Sequence, residues 1–292
     1  MTLARADRVS RRYGDTLALD QVDLDVRAGE LVGLLGPNGA GKSTLINLLV
    51  GLRRPTSGRV ELFGGDPRDP ASRRRLGVTP QETGLPGTLR VGEVVDFVCA
   101  HYPEPIPRGE LLDRFGLNEL VRRQTGGLSG GQKRRLAVAL AFVGRPRLVV
   151  LDEPTTGLDV EARHTLWEAI RTFHADGGTV LLSSHYLEEV EALAQRVVVI
   201  GHGRVLADDS VDAVRSVVGV RRVSLTVDDL PALPGVARVE RVDGRTHLFT
   251  PDADQLVRDL ITSGVAFRDL EVRPTSLEEA FLAITTAEPA AA

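Results

Sequence analysis

The stretch LVGLLGPNGAGKSTLINLLVGL, residues 31–52, decides the fold of this 292-residue chain. An apolar run typical of a buried strand comes first, glycines interrupt it at residues 36–41, and helical spacing of apolar residues follows from Lys42. Strand, glycine loop and helix in this order predict a loop that binds phosphate, because backbone N–H groups converge at the start of the helix. The alternative is a tight glycine turn without a ligand.

The glycine loop fits the pattern G-x-x-x-x-G-K-[ST], in which the lysine reaches the β- and γ-phosphates and the hydroxyl ligates Mg²⁺. Lysine is rare in this chain: Lys42 and Lys133 are the only two, and arginine supplies the other basic side chains. The compact charge of an ammonium group at position 42 therefore favours phosphate binding over a plain turn. The nucleotide-binding residues predicted in this loop are Gly36, Pro37, Asn38, Gly39, Ala40, Gly41, Lys42, Ser43 and Thr44, with Ser43 also a magnesium ligand.

Acidic side chains end a second predicted strand, LVVLDEP at residues 148–154. Ligands of parallel sheets bind at the carboxyl ends of the strands, where Asp152 and Glu153 would lie. We expect Asp152 to hold magnesium through water and Glu153 to orient or deprotonate an attacking water. Solvated acids in a turn at the strand end are the alternative, which a phosphate loop in the same sheet makes weaker. Together the two motifs predict a site of nucleotide hydrolysis.

Three further side chains are candidates for the same site. His185 ends the next predicted strand, GTVLLSSH at residues 178–185, from where its imidazole can donate a hydrogen bond to the γ-phosphate. A lone histidine is more often structural. Gln81 offers an amide oxygen to magnesium or water, and Tyr13 offers a ring on which adenine can stack. Gln81 and Tyr13 are weak signals by themselves.

Composition excludes several classes of protein. The net charge of −4 and the pI of about 5.9 give no overall field towards nucleic acid or an anionic membrane surface. The single cysteine, Cys99, excludes an internal disulfide and a multi-cysteine zinc site. The apolar run at residues 136–144 is about half of the roughly 20 residues that a membrane-spanning helix needs. If the protein works at a membrane, we therefore expect another chain to span it.

Strands alternate with helical segments along most of the chain, and the apolar run at residues 196–206 is predicted to be one of these strands. This alternation is typical of an α/β fold with a parallel sheet. We predict a nucleotide-binding domain at residues 1–215, with antiparallel strands at its start and an inserted helical subdomain at about residues 85–145. The pattern changes after about residue 216. A small α+β domain with a hairpin turning at an Asp-Gly pair is predicted at residues 216–288, followed by a flexible tail at residues 289–292.

A second glycine pair, in LSGGQ at residues 128–132, precedes a basic stretch with helical spacing. The serine and the glycine N–H groups at a helix start form an anion site, for which a single nucleotide has no obvious use. A helix N-cap is the simpler reading, but it leaves both glycines unexplained. With the motifs above and GLD at residues 157–159, the ordered set resembles the nucleotide-binding subunit of ATP-binding cassette (ABC) transporters over roughly residues 3–215.

The resemblance assigns each motif a place in that family and implies ATP and Mg²⁺ as ligands. In such proteins two cassettes pack head to tail, and the signature LSGGQ of one chain closes over the γ-phosphate held by the other, so a second copy of the chain is an expected partner. The additional ATP-binding residues implied are Ser129, Gly130, Gly131, Gln132 and Asp159. The family elements are Tyr13 as the adenine-stacking aromatic, residues 36–44 as Walker A, Gln81 as the Q-loop, residues 148–154 as Walker B, residues 157–159 as the D-loop and His185 as the switch histidine.

The tail after residue 216 looks like the C-terminal extension of drug- and polyketide-exporting cassettes of the ABC-2 class, similar to daunorubicin-resistance ATPases. This likeness implies a cytoplasmic exporter ATPase, bound to the inner face of the membrane through a separate polytopic permease that docks on the helical subdomain. Drug, antibiotic or lipid-like efflux is the expected process, and no nucleic acid partner is expected. The transported substrate stays open.

Two other classes of nucleotide-binding protein fit the sequence less well than the transporter. A soluble ABC ATPase acting on ribosomes or DNA typically carries two cassettes in one chain, a coiled-coil insertion or zinc cysteines, and this sequence has one cassette and one cysteine. A P-loop GTPase is disfavoured because the sequence contains no N-K-x-D motif to read guanine.

Overall fold

The computed structural model describes residues 1–79, 81, 84–216, 219, 221–231, 233–274 and 276–286. Contacts between Cα atoms divide the chain into two units, residues 1–208 and residue 209 onward, and each unit has its own hydrophobic core. The predicted tail at residues 289–292 lies outside the described residues. None of the helices in the described part has the length and apolar character to span a membrane.

The first unit contains a three-stranded antiparallel sheet and a six-stranded mixed sheet. Its strands are β1 (Thr2–Tyr13), β2 (Thr16–Arg27), β3 (Leu31–Leu35), β4 (Ser57–Leu62), β5 (Leu76–Thr79), β6 (Leu148–Asp152), β7 (Thr179–Ser183), β8 (Arg196–Gly201) and β9 (Arg204–Ser210), the last of which continues into the second unit. The strand orders are β2-β1-β4 and β5-β6-β7-β3-β8-β9. The helices are α1 (Lys42–Leu49), α2 (Pro70–Arg73), α3 (Val91–Cys99), α4 (Arg108–Arg114), α5 (Gly130–Phe142), α6 (Val160–Ala175) and α7 (Leu187–Leu193).

The middle strands of the mixed sheet are parallel and fully covered. Every residue of β3, β6 and β7 is buried, as expected for parallel strands that pack on both faces. Ser183 at the end of β7 is in register with both Leu34 of β3 and Asp152 of β6. The carboxyl ends of these three strands therefore lie at one edge of the sheet.

The first core joins both sheets. Apolar residues of α1 pack with those of β1 and β2 on the one side and with those of the mixed sheet on the other. Only residues 36–41 separate β3 from α1, so this packing fixes the position of both ends of that loop. The predicted strand and helix around the glycine loop are both present.

A group of helices is inserted between β5 and β6, as the sequence predicted. Its three main helices are α3, α4 and α5. Three phenylalanine rings hold its centre: Phe142 lies with its ring centroid 5.2 Å from that of Phe115 and 5.1 Å from that of Phe173. Since Phe173 belongs to α6, outside the insertion, the insertion packs on the rest of the first unit.

The second unit is an α+β structure around a four-stranded antiparallel sheet, whose strands in spatial order are β11 (Arg238–Val242), β12 (Arg245–Thr250), β10 (Arg221–Val227) and β13 (Phe267–Pro274). The predicted hairpin turns at Asp243-Gly244, and Leu256 and Leu260 of one helix pack on Val223 and Leu248 of the sheet. Its elements are α8 (Val211–Ser216), β10 (Arg221–Val227), β11 (Arg238–Val242), β12 (Arg245–Thr250), α9 (Ala253–Thr262), β13 (Phe267–Pro274) and α10 (Leu277–Thr286).

One stretch differs from the sequence prediction. The apolar run at residues 196–206 was expected to form one strand, but it forms β8 and β9 with a turn at His202 and Gly203. Both turn residues have positive φ, 46° and 77°, which suits a two-residue hairpin. The Gly203 amide donates to the carbonyl of Ala40 at 3.1 Å, so this hairpin supports the glycine loop.

Candidate active site

The loop that follows β3 requires glycine at its last position. Gly41 has φ 107°, and a Cβ there would lie 2.7 Å from the carbonyl oxygen of Ala18 and 2.7 Å from Leu19 Cδ2. A side chain would therefore clash with β2 as well as strain the backbone. The loop packs closely on β2. It leads into the first turn of α1, where backbone N–H groups are free to bind an anion.

Lys42 is buried at the beginning of α1 and closes the loop on itself. Its Nζ donates to the carbonyl oxygens of Gly36 at 2.6 Å and Pro37 at 3.2 Å. Burial lowers the pKa of Lys42, and the nearby carboxylates of Glu153 and Asp152 oppose that shift. The loop lysine and the two acids at the end of β6 therefore belong to one electrostatic site.

The two acids differ in their surroundings. Asp152 Oδ1 accepts from the Ser183 hydroxyl at 2.5 Å, while the Glu153 amide donates to the Ser183 carbonyl and hydroxyl oxygens, both at 3.1 Å. Glu153 has φ 55°, in the left-handed region that costs a residue with a side chain about 1–2 kcal/mol. The hydrogen bonds from the Glu153 amide to Ser183 hold this strained backbone at the end of β7.

The carboxylate of Glu153 is bound to the candidate histidine. Glu153 Oε2 accepts hydrogen bonds from the ring Nδ1 of His185 and from the His185 backbone amide, the latter at 3.3 Å. The Glu153 side chain is 10% exposed and that of His185 is 43% exposed. With Nδ1 engaged, Nε2 is the ring nitrogen through which His185 can contact a ligand.

Arg134 is a site residue that the sequence reasoning missed. Its buried guanidinium donates to the backbone carbonyl oxygens of Gln81 at 3.1 Å, Glu153 at 3.1 Å and Asp152. Burial lowers the pKa of Arg134, and the negative charges of Asp152, Glu153 and Glu189 oppose the shift. One side chain of α5 thus ties that helix to both acids at the end of β6 and to the segment of Gln81.

A signal for Arg134 was present in the sequence. Four and seven residues after it, Val138 and Ala141 lie on the buried face of α5. A charged residue at that helical spacing faces the core, where it needs buried partners.

Tyr13 and Gln81 lie at the margins of this arrangement. The Tyr13 side chain, at the end of β1, is 42% exposed, and the guanidinium of Arg11 lies 4.5 Å from the centroid of its ring. Tyr13 pairs across the hairpin with Thr16, two residues before Ala18, which contacts the glycine loop. The side chain of Gln81 is exposed, and its backbone carbonyl accepts a hydrogen bond from Arg134.

The second glycine motif forms the start of α5 with a capping box. Ser129 Oγ accepts from the Gln132 amide at 3.2 Å, and Gln132 Oε1 accepts from the Ser129 amide at 3.0 Å. A Cβ at Gly131 would lie 2.9 Å from the carbonyl oxygen of Gly157, whereas a Cβ at Gly130 would have no atom within 4 Å. Gly131 is therefore required by close packing on residues 157–159, and Gly130 leaves open space at the helix start.

Two groups of predicted residues are thus separate within the chain. The glycine loop, Asp152, Glu153 and His185 meet at one edge of the sheet. In the described part of the chain no hydrogen bond or ion pair joins residues 129–132 to residues 36–44. Asp159 is also engaged locally, because its Oδ1 accepts from the Ala162 amide at 2.8 Å and caps α6.

The hydrogen bond that caps α6 at Asp159 is expected to contribute to the free energy of unfolding. Replacing Asp159 by alanine removes the acceptor at the helix N-terminus, and we expect the free energy of unfolding to fall by about 1 kcal/mol. Urea unfolding measures the change. Asp159→Asn is the matched control, because asparagine caps helices about as well as aspartate. Equal losses in both variants would contradict the capping role.

Comparison with known proteins identifies the family. The Daunorubicin resistance ATP-binding protein DrrA2 of Streptomyces coeruleorubidus is 36% identical over 303 residues, and the match covers 96% of this chain and 94% of that protein. The chain belongs to the ATP-binding subunits of ABC transporters. The Nod factor export ATP-binding protein I of Rhizobium sp. (strain N33) is 39% identical, with 96% of each chain covered. The profile of the ABC transporter family matches residues 19–156.

Solved structures agree with this assignment. The structure of an ATP-binding subunit of an ABC transporter matches with a TM-score of 0.68 and 31% identity, covering 74% of this chain and 93% of that one. A dimeric post-hydrolysis structure of an ATP-binding cassette bound to ADP and Pi matches with a TM-score of 0.65 and 25% identity, covering 71% and 98%. The predicted cassette fold is confirmed, and the chain is an ATP-hydrolysing subunit of the exporter class of ABC transporters.

Proposed function

We propose that this ABC ATPase powers export through a separate polytopic membrane permease, to which it binds at the cytoplasmic face of the membrane. The observation that carries the proposal is the meeting of three strand ends at one edge of the sheet, where the loop after β3, the acids after β6 and His185 after β7 lie together. The names of the relatives, daunorubicin resistance and Nod factor export, support efflux of compounds of the drug, antibiotic or lipid-like type.

The nucleotide roles follow from the contacts of each side chain. Lys42 exchanges its bonds to the loop carbonyls for the β- and γ-phosphates of ATP, and the loop N–H groups bind the same phosphates. Tyr13 stacks on adenine with the ring face that Arg11 does not cover. Glu153 orients the attacking water and accepts its proton, while His185 holds the Glu153 carboxylate through Nδ1. Nε2 of His185 donates to the γ-phosphate when both ring nitrogens carry a proton.

The residues present fit a magnesium ion. Ser43 supplies a hydroxyl on the first turn of α1, Asp152 a nearly buried carboxylate and Gln81 an exposed amide, all hard oxygen donors. Among the described residues no group of three or more His, Cys, Asp and Glu side chains is arranged to hold a metal, and Mg²⁺ needs none because it takes phosphate and water oxygens. When bound there, the ion neutralises charge on the β- and γ-phosphate oxygens.

The second glycine motif is proposed to serve a second copy of the chain. Its open side at Gly130, with the Ser129 hydroxyl and the N–H groups at the start of α5, forms an anion site that is separate from the glycine loop of its own chain. In a head-to-tail pair each motif closes over the γ-phosphate held by the partner. Two equivalent sites of this kind close as a twofold dimer. The dimeric structure to which the chain is similar supports this arrangement.

A groove beside the helical insertion is the proposed docking site for the permease. It has a volume of about 1340 Å³ and lies between the end of α1, the start of β5 and the loops at residues 101–104 and 144–147. Exposed Leu52 and half-buried Val78 and Tyr102 give it apolar surface. The groove is bordered by Arg73, Arg74, Arg75, Arg145 and Arg147.

These five arginines are notable in a chain of net charge −4. In the described residues none of them forms an ion pair with a carboxylate, whereas many arginines elsewhere do, such as Arg196 with Asp208 at 2.6 Å. Guanidinium groups without a carboxylate partner around an apolar floor favour an amphipathic helix that carries Asp or Glu on its flanks. We assign that helix to a cytoplasmic loop of the permease.

The test is an affinity purification of the Glu153→Gln variant with ATP and Mg²⁺ from detergent-solubilised membranes of the source organism. We expect a polytopic membrane protein without its own cassette to be recovered. Combining Arg74→Glu and Arg75→Glu in the same background should reduce that recovery about tenfold, because charge reversal places like charges across the interface. Arg241→Glu with Arg268→Glu is the matched control, since both are exposed arginines of the second unit without an ion pair in the described residues.

Other outcomes would redirect the assignment. Recovery of ribosomal proteins or DNA in place of a membrane protein would support the soluble alternative, in which the groove arginines contact phosphates. Equal recovery by the groove variant and its control would keep the permease but remove the groove as its docking site.

A further inference from the structure

Glu189 is a fully buried carboxylate outside the set of residues assigned to ATP. It lies on the first turn of α7, four residues after His185, and has 0% exposure. Burial raises its pKa, while hydrogen bonds from Ser184, Trp167 and Thr155 lower it. A buried acid is costly unless donors surround it, so these three donors indicate an arrangement that the fold maintains.

The donors come from the two segments that carry the catalytic pair. The Thr155 hydroxyl, two residues after Glu153, donates to Glu189 Oε2 at 3.1 Å. Ser184, which directly precedes His185, interacts with the same carboxylate, and this interaction lowers the pKa of Glu189. Trp167 Nε1 of α6 donates to Oε1 at 3.2 Å and closes the third side. The carboxylate of Glu189 thus contacts one residue close to Glu153 in sequence, Thr155, and the residue that precedes His185, Ser184.

Ser184 passes this restraint on to the backbone around the histidine. Its Oγ accepts from the Tyr186 amide at 3.0 Å, so the side chain that interacts with Glu189 also holds the turn around His185. On the other segment, the strained Glu153 backbone is followed by a turn in which the Thr156 amide donates to the Glu153 carbonyl at 3.3 Å. Thr155, in the middle of that turn, is anchored only through its hydroxyl to Glu189 among the side-chain hydrogen bonds of the described residues.

We propose that Glu189 is a positioning residue for ATP hydrolysis, which sets the geometry of the Glu153–His185 pair by holding Thr155 and Ser184 on one carboxylate. The proposal rests on the roles proposed above for Glu153 and His185. A misplacement of catalytic groups by about 1 Å can lower a rate by about two orders of magnitude, so a restraint at this position has a kinetic effect. Binding of ATP through the glycine loop does not depend on it.

The matched pair Thr155→Val and Thr155→Ser tests the restraint. Valine keeps the branched shape and loses the hydroxyl, whereas serine keeps the hydroxyl and loses a methyl group. We expect Thr155→Val to lower kcat for Mg-ATP hydrolysis about tenfold with KM changed less than about twofold, and Thr155→Ser to keep kcat within about twofold of the unsubstituted protein. Trp167→Phe, which removes only the third donor and touches neither catalytic segment, is expected to have a smaller effect than Thr155→Val.

Two results would overturn the proposal. One is an unchanged kcat in Thr155→Val, and the other is an equal loss of kcat in both Thr155 variants, since packing rather than the hydroxyl would then be responsible. Thermal unfolding of each variant confirms that the fold is retained. Glu153→Gln in the same assay distinguishes failure of the catalytic pair from failure of the positioning role. If Glu153→Gln hydrolyses ATP normally, the proposed Glu153–His185 pair is wrong. If Glu153→Gln is inactive and Thr155→Val has normal kcat, only the role of Glu189 is wrong.

Discussion

Replacing Glu153 by glutamine is expected to lower kcat for ATP hydrolysis by about 10²–10⁴-fold, the usual contribution of a general base. Glutamine has nearly the same shape and keeps an oxygen that accepts from His185 Nδ1, but it lacks the charge needed to take a proton from water. The Lys42 contacts to ATP do not depend on the carboxylate. ATP binding is therefore retained, and the ATP-bound dimer accumulates because hydrolysis no longer reopens it.

Steady-state phosphate release and size-exclusion chromatography with ATP and Mg²⁺ measure the two effects. Glu119→Gln, an exposed glutamate of the helical insertion, makes the same chemical change away from the site and should hydrolyse ATP normally. A Glu153→Gln protein with normal turnover would remove Glu153 from its role. A protein that neither hydrolyses ATP nor dimerises would mean that the charge of Glu153 is also needed for binding.

The parts of the site that were predictable from sequence are contiguous motifs. The glycine loop, the pair Asp152 and Glu153, and the strand that leads to His185 each define their own local structure, because apolar runs and glycines act over a few neighbouring residues. The rule that ligands bind at the carboxyl ends of parallel strands then predicts that these motifs lie in one site. The hairpin at Asp243-Gly244 was predictable for the same local reason.

The supporting contacts were not predictable, because their partners are distant in sequence or belong to the backbone. Arg134 binds three backbone carbonyl groups, and backbone groups leave no trace in the residue pattern. Glu189 is one acid among three within residues 188–191, and only the fold distinguishes the buried one from its neighbours. The role of Gly131 likewise depends on its approach to the carbonyl of Gly157.

Arg134→Lys is expected to lower kcat by about 10–100-fold while leaving the KM for ATP nearly unchanged. The guanidinium is a planar fork whose Nη1 reaches Gln81 and whose Nη2 reaches Asp152 and Glu153, and a compact ammonium group on a flexible stem lacks this geometry. Each buried carbonyl left without a donor costs about 1–3 kcal/mol. The backbone at Glu153, already strained, then loses part of its support, and its carboxylate moves relative to the attacking water.

Because Arg134 lies on the helix that starts with the signature motif, its loss has a second expected consequence. In the proposed dimer the start of α5 contacts the partner's γ-phosphate, while Arg134 on the same helix holds the acids of its own chain. Closure over one nucleotide is thereby coupled to the geometry at the other. ATP-concentration curves for hydrolysis should show a Hill coefficient closer to one in Arg134→Lys than in the unsubstituted protein.

The control is Arg122→Lys, which changes an exposed arginine that precedes the signature and should leave both kcat and the Hill coefficient unchanged. An Arg134→Lys protein with reduced kcat but full cooperativity would confine Arg134 to its own active site and exclude it from coupling the two.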